Sequence, residues 1–263
     1  MALKNRLDVE LVRRGMVRSR SEGARAIDDG QVNVGGIQVT RAGALVDPAV
    51  PITISEAAAR FVSRGGDKLD GALDRLDVAV RERRWADAGA STGGFTDCLL
   101  QRGAAAVVAI DVGYGQLDWR LRTDERVTVL ERANVRFLDP DRLPWLAEGV
   151  VADLAFISLA TALPGLVAIA RPDANFVLLV KPQFELERAA VGKGGVVRAK
   201  ESWGEAMRRV IKAAADVGLG VAGATASSLK GPSGNREFFL HLRAGADRDG
   251  DEVVEKALSE APR

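Results

Sequence analysis

The chain has 263 residues, with 37 Lys and Arg against 36 Asp and Glu, so its net charge of +1 gives no overall attraction to nucleic acid. One Cys and one His exclude an internal disulfide and a Cys/His zinc site. No uncharged apolar run approaches the ~18–20 residues that span a bilayer, and the N-terminus lacks a signal-peptide core. We therefore expect a soluble cytoplasmic protein whose chemistry is carried by Lys, Asp, Glu or a cofactor.

The first sixty residues predict a small α+β module. Leu7 and Leu11 fall on one face of a first helix, and Ser19 with Glu22 forms a capping-box pattern for a second. Two alternating runs across Gly35-Gly36 then predict a β-hairpin over 32–39.

Positive charge is concentrated in this module, where residues 1–25 hold seven Lys and Arg against three acids. A solvated helix face would explain the charge, but arginine also suits bidentate phosphate contacts. The order Arg6-Leu7-Asp8, Leu11-Val12, Arg14-Gly15 and Ser19-Arg20 resembles the RNA-binding module of small-subunit ribosomal protein S-four. That resemblance implies binding of structured RNA. The implied RNA contacts are Lys4, Arg6, Arg13, Arg14, Arg18 and Arg20.

The pattern then changes to alternating strands and helices. We predict an RNA-binding domain over 1–59, a linker over 60–63 and a second domain over 64–263. Two closely spaced runs, 221–227 and 237–243, predict an antiparallel pair at the edge of a doubly wound α/β sheet of the Rossmann type. Buried parallel strands are predicted at Ala105–Ile110, Val127–Leu130, Val150–Ala152 and Phe176–Val180.

A glycine-rich loop, Asp87-Ala-Gly-Ala-Ser-Thr-Gly-Gly-Phe95, lies between a short strand and a helix. A phosphate-binding P-loop would need Lys followed by Ser or Thr after the last glycine, where this chain has Phe95 and Thr96. A dinucleotide fingerprint would need glycine where Ser91 stands. The remaining possibility, the loop of S-adenosylmethionine (SAM) methyltransferases, fits; an ordinary strand-to-helix turn is the alternative.

SAM carries an ammonium, a sulfonium and a ribose diol, so its site needs carboxylates. Asp87 begins the loop, and Asp111 follows Gly89 at the ~20-residue spacing of a ribose-binding acid. The predicted cofactor-binding residues are Asp87, Gly89, Ala90, Ser91, Thr92, Gly93, Gly94, Asp111, Val112 and Asp153.

Four charged residues form the candidate catalytic set: Lys68, Asp153, Lys181 and Glu237. Asp153 and Lys181 each end a predicted buried strand, at the sheet edge where ligands bind. Singly, each is most simply a surface charge or an ion pair, but together they resemble the Lys-Asp-Lys-Glu tetrad of ribose 2′-O-methyltransferases of the FtsJ type. Burial and a neighbouring cation favour the neutral form of a lysine, so Lys181 is the candidate base beside Lys68.

Further motifs occur in order along nearly the whole chain. They are Ser63-Arg-Gly-Gly-Asp-Lys-Leu69, Asp111-Val-Gly-Tyr-Gly-Gln116, Asp153-Leu-Ala-Phe-Ile-Ser158, Lys181-Pro-Gln-Phe-Glu185, Gly192-Lys-Gly-Gly-Val-Val197 and Gly231-Pro-Ser-Gly-Asn235. With the tetrad and the N-terminal module, they resemble the TlyA family of bacterial rRNA cytidine 2′-O-methyltransferases. The resemblance implies SAM-dependent methylation of a cytidine ribose in 23S rRNA, and in some members in 16S rRNA. It also links the family to capreomycin and viomycin susceptibility and to the older label haemolysin.

The resemblance implies ribosomal RNA or ribosomal subunits as partners, no membrane and no metal, and we expect a monomer. Lys193, in a glycine-rich loop, is a candidate phosphate contact, although a plain flexible loop would also explain it. Two alternatives stay open at this point. One is a haemolysin or pore-former; the other is a non-catalytic RNA-binding or ribosome-assembly protein with a vestigial methyltransferase fold.

Overall fold

The computed structural model describes residues 4–17, 19–28, 30–55, 60–192, 194–231 and 234–261. The chain divides into two compact units, Met1–Arg64 and Gly65–Arg263. The finer predicted division, with a linker over 60–63, stays a prediction. Within the described residues, every helix is too short or too polar to cross a membrane.

The N-terminal unit is a small α+β fold. A two-stranded antiparallel sheet joins β1 to β4, and a three-stranded sheet has the order β3-β2-β5. Its elements are β1 (Asn5–Arg6), α1 (Leu7–Arg13), α2 (Arg20–Asp28), β2 (Val32–Val34), β3 (Ile37–Gln38), β4 (Leu45–Val46) and β5 (Ile52–Ile54).

Both helices of this unit follow their sequence signals. Leu7 and Leu11 are fully buried and pack in one apolar cluster with Ile27. The Ser19 hydroxyl accepts a hydrogen bond from the backbone N–H of Glu22 at 3.1 Å, which is one half of the predicted capping box. The hairpin is also confirmed, because β2 pairs antiparallel with β3.

The C-terminal unit is built on one seven-stranded sheet of order β11-β12-β10-β9-β6-β7-β8. Its strands are β6 (Arg84–Ala88), β7 (Ala106–Ile110), β8 (Val127–Leu130), β9 (Ala147–Ala152), β10 (Ala170–Val180), β11 (Gly220–Ala226) and β12 (Phe238–Arg243). Its helices are α3 (Arg64–Arg75), α4 (Gly94–Gln101), α5 (Trp119–Arg122), α6 (Leu159–Ala168), α7 (Pro182–Glu185), α8 (Lys200–Asp216) and α9 (Gly250–Glu260), with 3-10 turns at Val135–Phe137, Pro140–Arg142 and Arg188–Ala190.

The predicted α/β architecture is confirmed. Strands β6 to β10 run parallel, while β12 pairs antiparallel with both β10 and β11, which is the predicted edge pair. The predicted runs of β7, β9 and β10 are buried and apolar because helices cover both faces of a parallel sheet. Val150, Val177 and Leu178, for example, have no exposed surface. The run of β8 is half-buried and not buried as predicted, because β8 lies at the edge of the sheet.

Strand β10 is longer than its apolar run predicts. It begins at Ala170, six residues before the predicted strand Phe176–Val180. Residues 171–173, which are Arg, Pro and Asp, are exposed, and the pairing with β9 is irregular between Ala170 and Asn175. Hydrophobic periodicity therefore detects only the buried half of this strand.

The topology sets where a site can form. The parallel strands β6, β7, β9 and β10 all end at one edge of the sheet, and the antiparallel β12 begins there. In open α/β sheets, ligands bind at the carboxyl ends of the parallel strands. Acidic or basic side chains after these strands are therefore brought to a common surface.

Candidate active site

The loop between β6 and α4 is held close to the neighbouring strand end. At Gly89, with φ +82°, a Cβ atom would lie 2.5 Å from the carbonyl oxygen of Asp153, so only glycine fits. The backbone N–H of Ser91 donates to Asp111 at 2.8 Å. Ala90, Gly93 and Gly94 are buried, Thr92 is half-buried, and Ser91 is exposed. All predicted loop residues therefore lie at the strand ends, within the turn that leads into α4.

Asp87 is fully buried near the end of β6. Its Oδ2 accepts a hydrogen bond from the Thr96 hydroxyl at 2.7 Å, whereas its Oδ1 has no hydrogen-bond partner among the described residues. Burial, with a smaller contribution from the negative charge of Asp153, raises the pKa of Asp87 to about 7. An unpaired buried carboxylate oxygen is costly unless a ligand completes it.

Asp111 follows β7 and holds two loops together. Its Oδ2 accepts from the Ser91 N–H, and its Oδ1 accepts from the Gly113 N–H at 2.6 Å. Each oxygen keeps one further lone pair for a ligand. Val112, the next residue, is 69% exposed on the rim of a cleft.

This cleft has a volume of about 430 Å³ and lies along the carboxyl edge. Gly89, Ser91, Asp111, Val112, Asn134, Asp153 and Phe156 are among its lining residues. The described lining residues supply carboxylates but no lysine or arginine that would neutralise a phosphate group. This lining fits a ligand with a cationic amino acid end and a ribose diol, which SAM has.

Two ion pairs lie where the strands β9, β10 and β12 meet. Lys181 Nζ lies 2.6 Å from Asp153 Oδ1, and Lys68 Nζ donates to Glu237 Oε2 at 2.6 Å. Because β10 pairs with β9 on one side and β12 on the other, the residues ending or starting these strands share one point of the edge. The structure therefore brings the four predicted catalytic residues together as two pairs.

The pairs differ in access. The side chains of Lys181 and Asp153 are 14% and 25% exposed, and Asp153 also lines the cleft. Those of Lys68 and Glu237 are 8% and 1% exposed. The first pair is therefore partly open to solvent, while the second is enclosed.

Sequence reasoning did not single out Phe156, which follows β9. Its side chain is 94% exposed, and its φ of +65° is strained for a bulky residue. Its ring centroid lies 5.6 Å from that of Phe184, whose ring is 5.9 Å from Lys181 Nζ. The aromatic inside the Asp153-Leu-Ala-Phe motif was the available signal, but only the structure shows that it points outward. Tyr114, a further candidate for stacking, is exposed beneath the Arg132 guanidinium.

The sequence motifs also contain Glu185 and Asn235, for which the sequence predicts no role of their own. Glu185 is buried and accepts from the Ser158 hydroxyl at 2.5 Å and the Leu159 N–H at 2.8 Å, so it caps α6. Burial raises the pKa of Glu185 above its usual value. Asn235 is 2% exposed and bonds to the 192–197 segment. His241, by contrast, bonds to Asn175 within the sheet, and burial lowers its pKa to about 4.

The predicted RNA-binding arginines of the N-terminal unit are arranged around two buried acids. Asp8 pairs with Arg6 at 2.9 Å and Arg20 at 3.2 Å. These contacts, chiefly the Arg6 hydrogen bond, lower the pKa of Asp8 to about 2.

Glu10 pairs with Arg13 at 2.5 Å and Arg14 at 2.8 Å, and its pKa is also lowered, chiefly by the Arg13 hydrogen bond. Arg14 donates further to the carbonyl oxygens of Val50 and Pro48. Lys4 is exposed. Arg18 and Lys193 lie outside the described residues.

Comparison with known proteins covers both units. The family model described as FtsJ-like methyltransferase matches residues 61–244, and that of the S4 domain matches residues 5–50. A protein of Mycobacterium tuberculosis named 16S/23S rRNA (cytidine-2′-O)-methyltransferase TlyA is 48% identical, with 100% of each chain covered.

Other relatives carry the hemolysin name. Hemolysin A of Brachyspira hyodysenteriae is 35% identical, with 90% of this chain and 99% of the relative covered. A solved hemolysin-named structure from Streptococcus thermophilus is 36% identical, with a TM-score of 0.75 and coverage of 99% and 98%. The chain is therefore an enzyme of the FtsJ-like methyltransferases and belongs to the TlyA family among them.

Proposed function

We propose that this enzyme methylates the ribose 2′-hydroxyl of a cytidine in ribosomal RNA, with SAM as the methyl donor. The observation that carries the proposal is the open Lys181–Asp153 pair beside the carboxylate-lined cleft. The name of the relative from Mycobacterium tuberculosis supports the choice of cytidine and of 16S and 23S rRNA. Since ribosomes are the substrate in this proposal, the enzyme would act in the cytoplasm.

The cofactor residues proposed from the sequence have the groups that SAM requires. The bound cofactor supplies an electrophilic methyl group. The free Oδ1 of Asp87 is an acceptor for the ammonium end, and Asp111 is an acceptor for the ribose hydroxyls. Gly89 lets the chain approach the ligand closely, because it has no side chain to stand between the backbone and the ligand.

Lys181 is the proposed catalytic residue. Its Nζ orients the 2′-hydroxyl and, in the neutral form, receives the proton that this hydroxyl loses. Asp153 keeps the lysine turned toward the cleft through their 2.6 Å contact. Lys68 and Glu237 form the enclosed ion pair beside them and support their position. Holding the hydroxyl and the methyl group in line lowers the reaction barrier by ~7–11 kcal/mol in favourable cases.

Phe156 and Phe184 are proposed to hold the target base. An exposed aromatic next to the reacting residues offers a face on which an unstacked base can lie. The strained φ of Phe156 keeps that ring in solvent rather than in the core. The N-terminal unit is proposed to bind the surrounding RNA through its exposed arginines.

The test uses labelled SAM with unmodified large subunits, small subunits and free rRNA, followed by mapping of ribose methylation. Wild-type protein should label a cytidine, and Lys181→Ala should lower turnover about 10²- to 10⁴-fold with folding and SAM binding retained. Lys181→Arg keeps the charge but cannot give up its proton, so it should be equally impaired if Lys181 is the base.

Three results would overturn the proposal in different ways. Near-normal turnover by Lys181→Ala would remove the assigned catalytic residue. SAM binding without label on any ribosomal substrate would move the target to another RNA. Absence of both SAM binding and label would leave a vestigial, RNA-binding protein.

A further inference from the structure

We propose that the open edge of strand β11 is a docking surface for an extended, acidic peptide segment of a partner protein. The surface is a groove of about 210 Å³ in the C-terminal unit, lined by β11, by the end of α3 and by one face of α9. Among the described residues, it shares no lining residue with the carboxylate-lined cleft. The inference therefore goes beyond the proposed function and does not depend on it.

Strand β11 has one side that no other strand of the described sheet covers. It is the last strand in the order and pairs only with β12. Next to its end, the Ser227 N–H donates to the Glu237 carbonyl at 2.9 Å, so the backbone groups of Ser227 point toward the β12 side. Along an antiparallel pair, successive residues alternate in this direction. The backbone groups of Ala226 and Ala224 therefore point away from β12, out of the sheet.

Two arginines bind this outer side on either side of Ala224. Arg75 donates to the carbonyl oxygen of Ala226 at 2.8 Å, as the outward direction requires, and Arg248 donates to that of Ala222 at 3.4 Å. Between them, the outward N–H and carbonyl of Ala224 have no hydrogen-bond partner among the described residues. A backbone donor and acceptor in a groove need partners, which an added strand supplies in pairs.

The groove around Ala224 has apolar surfaces and fixed walls. Leu76 is half-buried on the α3 side, and Val253 is 4% exposed on the α9 side. The Thr225 hydroxyl donates to Glu260 Oε2 at 2.7 Å, which holds α9 against β11. One outward donor and one outward acceptor between apolar side chains are the arrangement by which a sheet edge takes up an extended peptide.

The charge of the groove sets the kind of peptide. Arg75, Arg248 and Lys256 border it and are exposed, against the single carboxylate of Glu252. Glu252 and Lys256 lie one helical turn apart, yet the Lys256 ammonium has no ion pair with any described residue. Opposite charges on neighbouring strands are stabilising and like charges are not. A second copy of this edge would bring the cations together, so the partner is a different chain with acidic side chains.

The test uses the full-length protein and a capped, fluorescein-labelled peptide, Ser-Val-Glu-Val-Glu-Val-Ser. In an extended chain its glutamates lie on one face, toward Lys256 and Arg248, and its valines on the other, toward Leu76. Fluorescence anisotropy measures the dissociation constant, and amide chemical shifts of isotope-labelled protein locate the peptide. The peptide should bind, the Ala224 amide should shift, and added salt should weaken the binding.

The variant Arg248→Ala/Lys256→Ala tests the charge. It should weaken peptide binding about tenfold, since each exposed ion pair adds about a few-fold to the affinity. A matched control is Arg171→Ala/Lys212→Ala, which removes the same two residue types at exposed positions outside the groove. The control should bind as tightly as the wild type. An equal loss in both variants would overturn the inference, because net charge alone would then explain the binding.

The backbone pairing is tested separately. The same peptide with its internal amides N-methylated keeps its glutamates but has no donor for the Ala224 carbonyl, so it should bind about tenfold more weakly. From the protein side, Ala224→Pro removes the outward N–H without removing a bond to β12, and an edge strand tolerates proline at such a position. It should weaken binding to a similar extent. If Ala224→Pro does not fold, the N-methylated peptide still tests the pairing.

Other results would identify a different role for the groove. Equal binding of the N-methylated and parent peptides would leave only a charged patch. A shift of the Ala224 amide with inorganic phosphate or a short RNA, but not with the peptide, would make the groove a phosphate site. Absence of peptide binding would also refute the docking surface, and faster aggregation of Arg248→Ala/Lys256→Ala would then assign the cations to protection of a sheet edge. Each of these results overturns the inference and leaves the proposed methylation unaffected.

Discussion

The two lysine–carboxylate pairs have the same contact distance but opposite surroundings. Lys68 and Glu237 are enclosed between α3 and the start of β12, whereas Lys181 and Asp153 are partly exposed and Asp153 lines the cleft. Both distances are 2.6 Å. The contact distance alone therefore does not separate a structural pair from a reactive one.

Burial makes the difference. An enclosed charge left without its partner cannot recover water, so breaking such a pair is strongly destabilising. A pair that water reaches is worth little to folding and is open to exchange of partners. The open pair can thus bind a substrate group at small cost, while the enclosed pair keeps the surrounding strands in place.

The largest effect is expected when one carboxylate in each pair is changed to an amide, which tests the role of burial directly. Glu237→Gln should lower the free energy of unfolding by about 3–5 kcal/mol, since Lys68 keeps its charge in a buried site. The matched variant Asp153→Asn should cost about 1 kcal/mol or less. Urea unfolding measures both, and equal losses would contradict the distinction.

A double variant sharpens the same comparison. Replacing both enclosed charges, as in Lys68→Met/Glu237→Leu, should recover much of the lost stability because apolar packing replaces the pair. Methylation should not recover. Recovery of turnover would show that the enclosed pair has no part in the reaction.

The next largest effect is expected at Asp87. Its pKa is raised to about 7, mainly by burial and to a smaller extent by the negative charge of Asp153. Because the folded protein favours the neutral form of this carboxyl group, the group contributes more to the stability of the fold at low pH. This contribution is lost as the pH rises through 7. Binding of a cationic cofactor needs the ionised form. SAM affinity should therefore increase about tenfold between pH 5.5 and 7.

Calorimetric titration of SAM across this range measures the change. The control is Asp87→Asn, in which the ammonium group of SAM still titrates but the carboxyl group at position 87 is absent. In Asp153→Asn the midpoint should move to lower pH, since one neighbouring negative charge is gone. A flat profile in the wild type would contradict the assignment of Asp87 to the ammonium.

The smallest effect extends the comparison to the N-terminal unit. Arg13 is 55% exposed, while Arg14 is 20% exposed and bonds to two backbone carbonyls besides Glu10. Arg13→Ala should reduce the salt slope of RNA binding by about one, without changing thermal unfolding. Arg14→Ala should lower stability by about 1–3 kcal/mol and leave the slope nearly unchanged. The opposite pattern would place the phosphate contact at Arg14.

Sequence patterns predicted those features that repeat along the chain. Each of the strands β7, β8 and β9 contains an apolar run, and the loop after β6 contains a glycine-rich motif. These local signals predict where the elements lie in the chain. The partners of charged residues have no such signal. Lys68 and Glu237 are 169 residues apart, and only the placement of α3 against β12 joins them. The outward orientation of the Phe156 side chain likewise depends on the positive φ of this residue, which the residue type does not predict.

The antiparallel course of β12 has a consequence for incomplete chains. Glu237 and the strand that follows it are made late in synthesis, yet β12 covers the long side of β10 along Phe176–Val180. A frameshift or early stop before residue 237 would remove the last member of the tetrad and leave that apolar strand as a bare edge. Such an edge can recruit strands from other chains. Truncated products should therefore be inactive and aggregate, and protein quality control should clear them.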